Sequence, residues 1–249
     1  MADSSRTSVA VIGAKGRMGS QTCRAVEAAP DLDLVAAVDL GDDVGDVAAA
    51  DVAVVFSVPA VALEHVLACV RMGVHAVVGT TGWTLDMLDQ VRAALGEDPR
   101  TGVLVAPNFA LGAVLLMRFA AAAAVHYDSV EVIELHHPDK VDAPSGTARE
   151  LAARLSKVRH PEPTVPVDRT VGPREARGAT LSGSQVHSVR LPGYVISAEI
   201  IFGMPDQRLT IRHDSGSSAR PYVDGALLAI RKVSTLVGVH RGLDSVLDL

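Results

Sequence analysis

The first hundred residues alternate between short runs of β-branched, apolar residues and stretches in which apolar residues have helical spacing. The runs predict strands at Ser8–Ile12, Asp33–Val38, Val52–Phe56, His75–Val78 and Val103–Ala106. Such strands are nearly all apolar because a parallel sheet buries both of its faces. The helical stretches are Met18–Ala28, Ala60–Arg71 and Leu85–Leu95. This alternation predicts the α/β class, with a Rossmann-like, doubly wound parallel sheet.

The pattern changes after Pro107. It predicts a helix at about Leu111–His126, a strand at Val130–His136 and a helix at about Thr147–Lys157. Residues 156–184 lack periodicity and are expected to form an extended surface loop. Alternating apolar positions then predict an antiparallel meander of the strands Gln185–Leu191, Val195–Phe202 and Gln207–His213. An amphipathic helix, Tyr222–Thr235, follows. Together these elements indicate a second α+β domain with an open mixed sheet.

A glycine-rich turn joins the first strand to the first helix. Gly13 permits the tight turn, Gly16 lets backbone amides approach a pyrophosphate, and Gly19 allows close packing of helix on strand. Asp39 ends the second strand, where a carboxylate accepts hydrogen bonds from a ribose diol. This context favours dinucleotide binding over a glycine turn that serves packing alone. The expected cofactor contacts in this region are Gly13, Ala14, Lys15, Gly16, Arg17, Met18 and Asp39.

Two further strand ends lie on the same predicted edge of the sheet. Ligands of doubly wound sheets bind at the carboxyl ends of the strands, so these residues are expected to line the nicotinamide end of the cofactor. Ordinary turn chemistry is the alternative explanation for each segment alone. The residues are Gly79, Thr80 and Thr81 after the fourth strand, and Ala106, Pro107, Asn108 and Phe109 after the fifth.

Composition and charge narrow the class of protein. The formal net charge is −6 and there is no basic block, which argues against nucleic acid and anionic membranes as main partners. No apolar run reaches the ~18 residues that a transmembrane helix needs. Cys23 and Cys69 are far apart in sequence and are expected to be buried free thiols. A cytoplasmic protein is expected.

The segment Glu134–Ala148, ELHHPDKVDAPSGTA, concentrates groups that can do chemistry. His136 and His137 titrate near neutral pH, and Lys140 supplies positive charge or a proton. Adjacent strand residues point to opposite faces, so the two histidines are not expected to share a metal ion. The Ser-Gly-Thr sequence that follows opens a helix, whose free amides suit a carboxylate, although simple N-capping explains it equally well. The segment indicates proton transfer to an anionic small molecule and, with the glycine turn, a reductase.

Five motifs resemble the 4-hydroxy-tetrahydrodipicolinate reductase family, the dihydrodipicolinate reductases of bacterial lysine and diaminopimelate synthesis. The resemblance covers nearly the whole chain, and the Glu134–Ala148 motif is highly specific. The motifs are GAKGRMG (Gly13–Gly19), VVGTTG (Val77–Gly82), APNFA (Ala106–Ala110), ELHHPDKVDAPSGTA (Glu134–Ala148) and FGMPDQRLTIRHDS (Phe202–Ser215). One departure concerns the third strand, which ends in Val55-Phe56-Ser57 where the family usually has Asp-Phe-Thr or Asp-Phe-Ser.

The resemblance implies roles for individual residues. His136 would be the acid/base residue and Lys140 a proton donor, while His137, Gly146 and Thr147 would bind a substrate carboxylate. The reaction would be hydride transfer from a reduced nicotinamide to C4 of a cyclic, unsaturated dicarboxylate, with loss of the 4-hydroxyl as water. The family also implies a homotetramer built by the open sheets of the second domain.

Three domain segments and a cofactor choice complete the expectations. Residues 1–106 would bind the dinucleotide, residues 107–216 would bind substrate and form the oligomer, and residues 217–249 would form a C-terminal helix returning to the first domain. Asp39 favours NADH, whereas Lys15 and Arg17 could attract a 2′-phosphate. We therefore expect use of both NADH and NADPH, with NADH equal or moderately preferred.

Two alternatives remain at this point. Another small nicotinamide dehydrogenase, such as an aspartate or homoserine dehydrogenase, would explain the glycine turn but not the His-His-Pro-Asp-Lys segment. A non-catalytic, dinucleotide-binding redox sensor would need neither histidine nor lysine there.

Overall fold

The computed structural model describes residues 6–161, 163 and 165–248. Its strands are β1 (Thr7–Ile12), β2 (Leu32–Val38), β3 (Val52–Val55), β4 (His75–Val78), β5 (Gly102–Val105), β6 (Ser129–His136), β7 (Ala179–Leu181), β8 (Ser184–Arg190), β9 (Ile196–Met204), β10 (Gln207–Ser215) and β11 (Gly238–Arg241). Its α-helices are α1 (Arg17–Ala28), α2 (Pro59–Arg71), α3 (Leu85–Leu95), α4 (Leu111–Ala124), α5 (Gly146–Val158) and α6 (Arg220–Val233).

The first sheet has six parallel strands in the order β11-β5-β4-β3-β1-β2. All four residues of β3 are fully buried, as expected for a central strand covered by helices on both faces. Small and β-branched side chains suit these positions because helices must pack closely against the pleated surface. The predicted Rossmann-like, doubly wound sheet is confirmed.

Strand β11 was not expected, because only a helix was predicted for the C-terminal region. Gly238–Arg241 forms hydrogen bonds along β5 in parallel register and becomes the edge of the first sheet. Its sequence, GVHR, is short and half polar, so it lacks the apolar run by which the other strands of this sheet were found.

The second sheet has five strands in the order β10-β9-β6-β8-β7. Strands β9 and β10 form the predicted antiparallel hairpin, but the predicted three-strand meander is wrong. Strand β8 runs parallel to β6, and β6 separates it from β9. Because β8 keeps its hydrogen bonds to β6 up to the end, where Leu191 N donates to His136 O at 3.1 Å, the Pro192-Gly193 segment is a crossing connection and not a hairpin turn.

The expectation of an extended surface loop at 156–184 is also corrected. Helix α5 continues to Val158, two 3-10 helices follow at Val167–Arg169 and Arg174–Arg177, and β7 pairs with β8 as a hairpin. The turn of this hairpin holds Ser182 and Gly183 at positive φ. Short elements that are stabilised by tertiary pairing leave little periodicity in sequence, which is why none was predicted here.

The chain divides into two compact units. One unit holds the residues up to Leu111 together with those from Ala219 onward, and the other holds Gly112–Ser218. In the second unit, helices α4 and α5 cover one face of the five-stranded sheet. The core there contains Met117, Leu151, Leu155, Ile200 and Phe202, all nearly or fully buried.

Candidate active site

In the first unit, the glycine turn forms one wall of a cleft of about 500 Å³ at the carboxyl edge of the sheet. Gly13 has a φ of +83°, and an added Cβ would lie 2.7 Å from Phe56 O, so only glycine fits there. Gly16 caps α1 without any side-chain hydrogen bond, and the first turn of the helix has no acidic residue. The amides at this helix start are therefore free to bind an anion. Gly13, Gly16 and Asp39 all line the cleft.

Asp39 is fixed to the glycine turn by its own carboxylate. One oxygen accepts a hydrogen bond from Lys15 N at 2.6 Å, and the other accepts one from Leu40 N at 2.8 Å. The backbone hydrogen bonds from Leu40 and Lys15 lower the pKa of Asp39. The carboxylate is thus ionised at neutral pH, with lone pairs left for a diol. The side chains of Lys15 and Arg17 are exposed on the outside of the turn.

The other two predicted strand ends lie around a pair of aromatic rings. Phe56 and Phe109 meet edge to face with centroids 5.9 Å apart. A Cβ on Gly79 would lie 2.2 Å from the Phe56 ring and 2.8 Å from the Phe109 ring. Thr80 Oγ1 donates to Ser57 O at 2.8 Å. Gly79 and Thr80 therefore pack against Phe56 and Ser57, which line the cleft. Thr81 and Pro107 are exposed at the same edge, and Asn108 Oδ1 accepts from Ala110 N at 2.9 Å.

Several cleft residues were missed by the sequence reasoning. Leu40, Val58, Ser57 and His65 line the cleft, and none of them had been assigned a cofactor contact from the sequence. Ser57 Oγ and His65 Nδ1 are buried and find no hydrogen-bond partner in the part of the chain that the structure describes. Unpaired polar atoms in a cleft beside free helix amides fit a bound dinucleotide. His65 lies inside a helix, where a lone histidine gives no periodic signal.

In the second unit, a cluster of polar side chains is centred on the buried His136, the last residue of β6. Strands β6 and β8 place Glu134 beside Ser188 and His136 beside Arg190, and alternation puts all four on the face that α5 covers. His136 Nε2 lies 3.1 Å from Glu134 Oε2. Burial lowers the pKa of His136; the nearby Glu134 opposes this shift, while Lys140 and Arg190 add to it.

Lys140 follows the strand in a turn that the same arginine holds. Its Nζ donates to Asp142 Oδ1 at 2.6 Å, and this contact lowers the pKa of Asp142. Arg190 donates from Nη2 to Asp142 O at 2.6 Å and from Nε to Lys140 O at 3.3 Å. The Lys140 ammonium and the His136 imidazole therefore lie on one short segment that Arg190 holds in place. His137, just beyond the strand, is exposed.

The start of α5 is the part of the cluster that is suited to bind an anion. Ser145 is the N-cap, and its Oγ accepts from Ala148 N at 3.2 Å, so the predicted capping role is present. Gly146 is exposed, and among the described residues an added Cβ would meet only the Arg149 side chain, at 3.9 Å. The amides of Gly146 and Thr147 are therefore open to a carboxylate.

Glu134 and Arg190 were not assigned a role from the sequence. Glu134 began the recognised motif, and a carboxylate among the apolar residues of a strand was a usable signal. Arg190 lies fifty-four residues later in sequence than His136, and only the β6–β8 register brings the two together. Within the described residues, no group of His, Cys, Asp or Glu side chains is placed to hold a metal ion. No helix in that part of the chain is long and apolar enough to cross a bilayer.

These features define a class: an α/β oxidoreductase with a dinucleotide cleft and a second unit that holds a histidine–lysine cluster. Residues 7–109 match the family described as dihydrodipicolinate reductase, N-terminus, and residues 112–247 match dihydrodipicolinate reductase, C-terminus. The chain belongs to the dihydrodipicolinate reductase family. The resemblance seen in the motifs is confirmed, and the alternative dehydrogenase and redox-sensor classes are set aside.

Individual relatives agree with this assignment. The chain is 49% identical to a 4-hydroxy-tetrahydrodipicolinate reductase of Streptomyces avermitilis, covering 98% of this chain and 99% of that protein. It is 46% identical to one of Mycolicibacterium smegmatis, over 97% of this chain and 99% of the relative. A solved structure, the dipicolinate-bound dihydrodipicolinate reductase of Paenisporosarcina sp. TG-14, superposes with a TM-score of 0.90 at 32% identity, covering 97% of this chain and 100% of that one.

Proposed function

We propose that this protein is an NAD(P)H-dependent reductase that converts 4-hydroxy-tetrahydrodipicolinate to tetrahydrodipicolinate, with loss of water, in the diaminopimelate route to lysine. The observation that carries this proposal is the cluster of His136, Lys140 and the open start of α5, in a chain of this family. A proton source beside a carboxylate-binding helix start is what reduction of a cyclic dicarboxylate requires.

His136 and Lys140 have different tasks in this proposal. When bound, the reduced nicotinamide supplies the hydride, and negative charge then develops on the substrate ring. Lys140, held as an ammonium against Asp142, donates the proton. His136 is mostly neutral in the free protein because burial lowers its pKa, and an anionic substrate favours its protonated form. The protonated His136 then stabilises the charge that develops on the substrate and exchanges protons with the substrate ring.

The substrate carboxylates bind at the start of α5. The amides of Gly146 and Thr147 donate to one carboxylate, and the positive end of the helix dipole favours it. His137, exposed next to His136, contacts a substrate carboxylate from the loop side. The open space in front of Gly146 supports this assignment, because a side chain there would occupy the anion's position.

The cofactor contacts are assigned to the cleft of the first unit. Gly13, Ala14, Lys15, Gly16, Arg17 and Met18 would hold the pyrophosphate and Asp39 the adenosine ribose. The exposed Leu40 and Val58, which are 96% and 64% accessible, give this cleft apolar walls without a cation at either position. Asp39 and the lack of a cation at these two positions favour NADH, whereas the exposed Lys15 and Arg17 could attract a 2′-phosphate, and together they support use of both cofactors with NADH equal or moderately preferred. Gly79–Thr81 and Ala106–Phe109 would flank the nicotinamide.

The assay that tests the proposal follows cofactor absorbance at the nicotinamide band with freshly made 4-hydroxy-tetrahydrodipicolinate. Oxidation of NADH or NADPH is expected only with both enzyme and this substrate present. Homoserine with the oxidised cofactors is the control and should give no signal. A preparation that is folded and binds cofactor but oxidises neither cofactor with this substrate would overturn the assignment.

A homotetramer is proposed as well. The face of the second sheet opposite α4 and α5 carries Ile133, Val189 and Ile201, all only partly buried, and mixes them with charged side chains. A partly apolar open sheet face suits self-association. Sedimentation equilibrium should give four times the chain mass, and Ile201→Asp should lower it; a monomer at micromolar concentration would contradict the proposal. The cytoplasmic location stays a prediction from the sequence.

A further inference from the structure

Glu134 is a charged side chain in a position that suits an apolar one. Its side chain is 1% exposed, on a strand of the second sheet, beside the core of that unit. Burying a carboxylate is costly unless hydrogen bonds and opposite charge compensate. Neither the hydride transfer nor the carboxylate binding proposed above uses Glu134, so its presence needs its own explanation.

One of its two oxygens is fully engaged. Oε1 accepts from Ser145 N at 3.1 Å, from Ser188 Oγ at 2.7 Å and from Arg190 Nη2 at 2.7 Å. Burial alone would raise the pKa of Glu134, but the hydrogen bonds from Ser145, Ser188 and Arg190 bring it below its ordinary value. The group is therefore an anchored carboxylate anion.

The other oxygen faces the histidine. Oε2 is buried and has no well-aligned hydrogen bond within the described residues, yet it lies 3.1 Å from His136 Nε2. An anionic oxygen at that distance favours a proton on Nε2, and Nδ1 is then the nitrogen left to meet substrate protons. Histidines whose other nitrogen is held by a carboxylate are fixed in tautomer and orientation.

We propose that Glu134 is the positioning residue of His136: it fixes the ring with the Nε2 proton toward itself, presents Nδ1 to the substrate and stabilises the imidazolium. This inference rests on the proposed function. The same carboxylate also holds Ser145, the N-cap of α5. Glu134 thus sets the distance between the acid/base histidine and the helix start that binds the substrate carboxylate.

The charges that face His136 predict the direction of a pH effect. Glu134 on its own strand raises its pKa, whereas Lys140 in the following turn and Arg190 on β8 lower it. Of these three charges, only Glu134 stabilises the protonated form of His136, and Glu134→Gln removes it. The pKa of His136 should then fall further, whether the ring acts as acid or as base.

The experiment compares Glu134→Gln with Glu131→Gln. Glu131 is on the same strand but is paired with Arg177 and His187. Its replacement therefore removes one charge without changing the contacts of His136. Glu134→Gln should lower kcat about 10–100-fold, by analogy with the loss of a carboxylate that orients a metal-ligating histidine, with little change in KM. The limb of the kcat/KM profile that His136→Gln abolishes should move to lower pH. Glu134→Asp should restore part of kcat, and Glu131→Gln should leave kcat and the limb unchanged.

Two outcomes separate this inference from the function on which it rests. If His136→Gln is impaired but folded Glu134→Gln has wild-type kcat and an unmoved limb, the positioning role is wrong and the reductase assignment stands. If His136→Gln itself is fully active, the acid/base assignment has failed first. The double variant should be no slower than His136→Gln alone, because Glu134 acts through that ring.

A spectroscopic measurement covers the case in which Glu134→Gln does not fold. The ¹⁵N shifts of His136 in the wild-type protein, assigned by difference from His136→Gln, should report the tautomer protonated on Nε2. If Glu134→Gln does fold, its side-chain amide should keep its oxygen on Ser145 N and turn its NH₂ group toward the His136 ring. The ring proton should then move from Nε2 to Nδ1. A wild-type ring protonated on Nδ1 would overturn the inference without any variant.

Discussion

The dinucleotide cleft and the His136 cluster are built by opposite means. The phosphate-facing turn of the cleft is made mainly of backbone: three glycines, free helix amides and one carboxylate bonded to two N–H groups, all from Gly13–Leu40, while side chains such as Phe56 and Val58 line the rest. The cluster is made of side chains from three elements, tied together by the buried Glu134 and by Arg190. A backbone site tolerates change wherever no Cβ is in the way, whereas a buried ionic cluster depends on every partner.

The largest effect is expected in the cluster. His136→Gln and Lys140→Ala should each lower kcat by roughly 10²–10⁴, the range for losing a positioned proton donor or acceptor, with the Kd for cofactor unchanged. Single-turnover kinetics and a fluorescence titration of NADH measure the two quantities. His126→Gln and Lys157→Ala change exposed residues of the same types and serve as controls. Near-normal turnover of both active-site variants would remove this chemistry from the segment.

The contrast also explains how far sequence reasoning reached. The glycine turn, Asp39 and the parallel strands are contiguous patterns, so local rules located them. The Glu134–Ala148 motif was found for the same reason. Glu134 and Arg190 are brought together only by the β6–β8 pairing, which the sequence did not predict because β8 was expected to pair with β9 in a meander.

The missed pieces of the fold have the same origin. Strands β11 and β7 are defined by their pairing with β5 and β8, and both are too short to show a clear apolar pattern. Leu40, Val58 and His65 line the cleft, yet each is an ordinary residue in its local context. Such residues are recognised by their tertiary contacts, which local sequence patterns do not reveal.

The second-largest effect tests the backbone site. A Cβ on Gly19 would lie 2.0 Å from Gly13 O, so Gly19→Ala must push α1 away from the turn. We expect a loss of about 1–3 kcal/mol in the free energy of unfolding, together with weaker cofactor binding. At Gly16 the corresponding distance is 3.2 Å, so Gly16→Ala should weaken cofactor binding with little loss of stability. Urea unfolding and NADH titration separate the two; equal stability of both variants would show that the helix does not depend on this close approach.

A smaller effect is expected at the substrate end. Gly146→Val should weaken inhibition by pyridine-2,6-dicarboxylate about tenfold or more, since hydrogen bonds to a charged group contribute ~1.5–3 kcal/mol. The open space at Gly146 means that the fold should accept the valine, which the melting temperature checks. Gly203→Val, at another glycine with open surroundings, is the matched control. Unchanged inhibition in Gly146→Val would place the carboxylate elsewhere.

The smallest effect concerns the choice between NADH and NADPH. Here a carboxylate held by the backbone and exposed cationic side chains lie at the same rim of the cleft. Asp39 is held ionised by two backbone N–H groups and should repel a 2′-phosphate. Lys15 and Arg17 are exposed cations there, and each should contribute ~1 kcal/mol or less, decreasing with salt. The kcat/KM for NADH should therefore equal or moderately exceed that for NADPH at low salt, and the ratio should rise at high salt. Asp39→Asn should raise the efficiency with NADPH, whereas Asp42→Asn, on the same rim, should change it less. A strong NADPH preference that persists at high salt would show that Asp39 does not face the ribose.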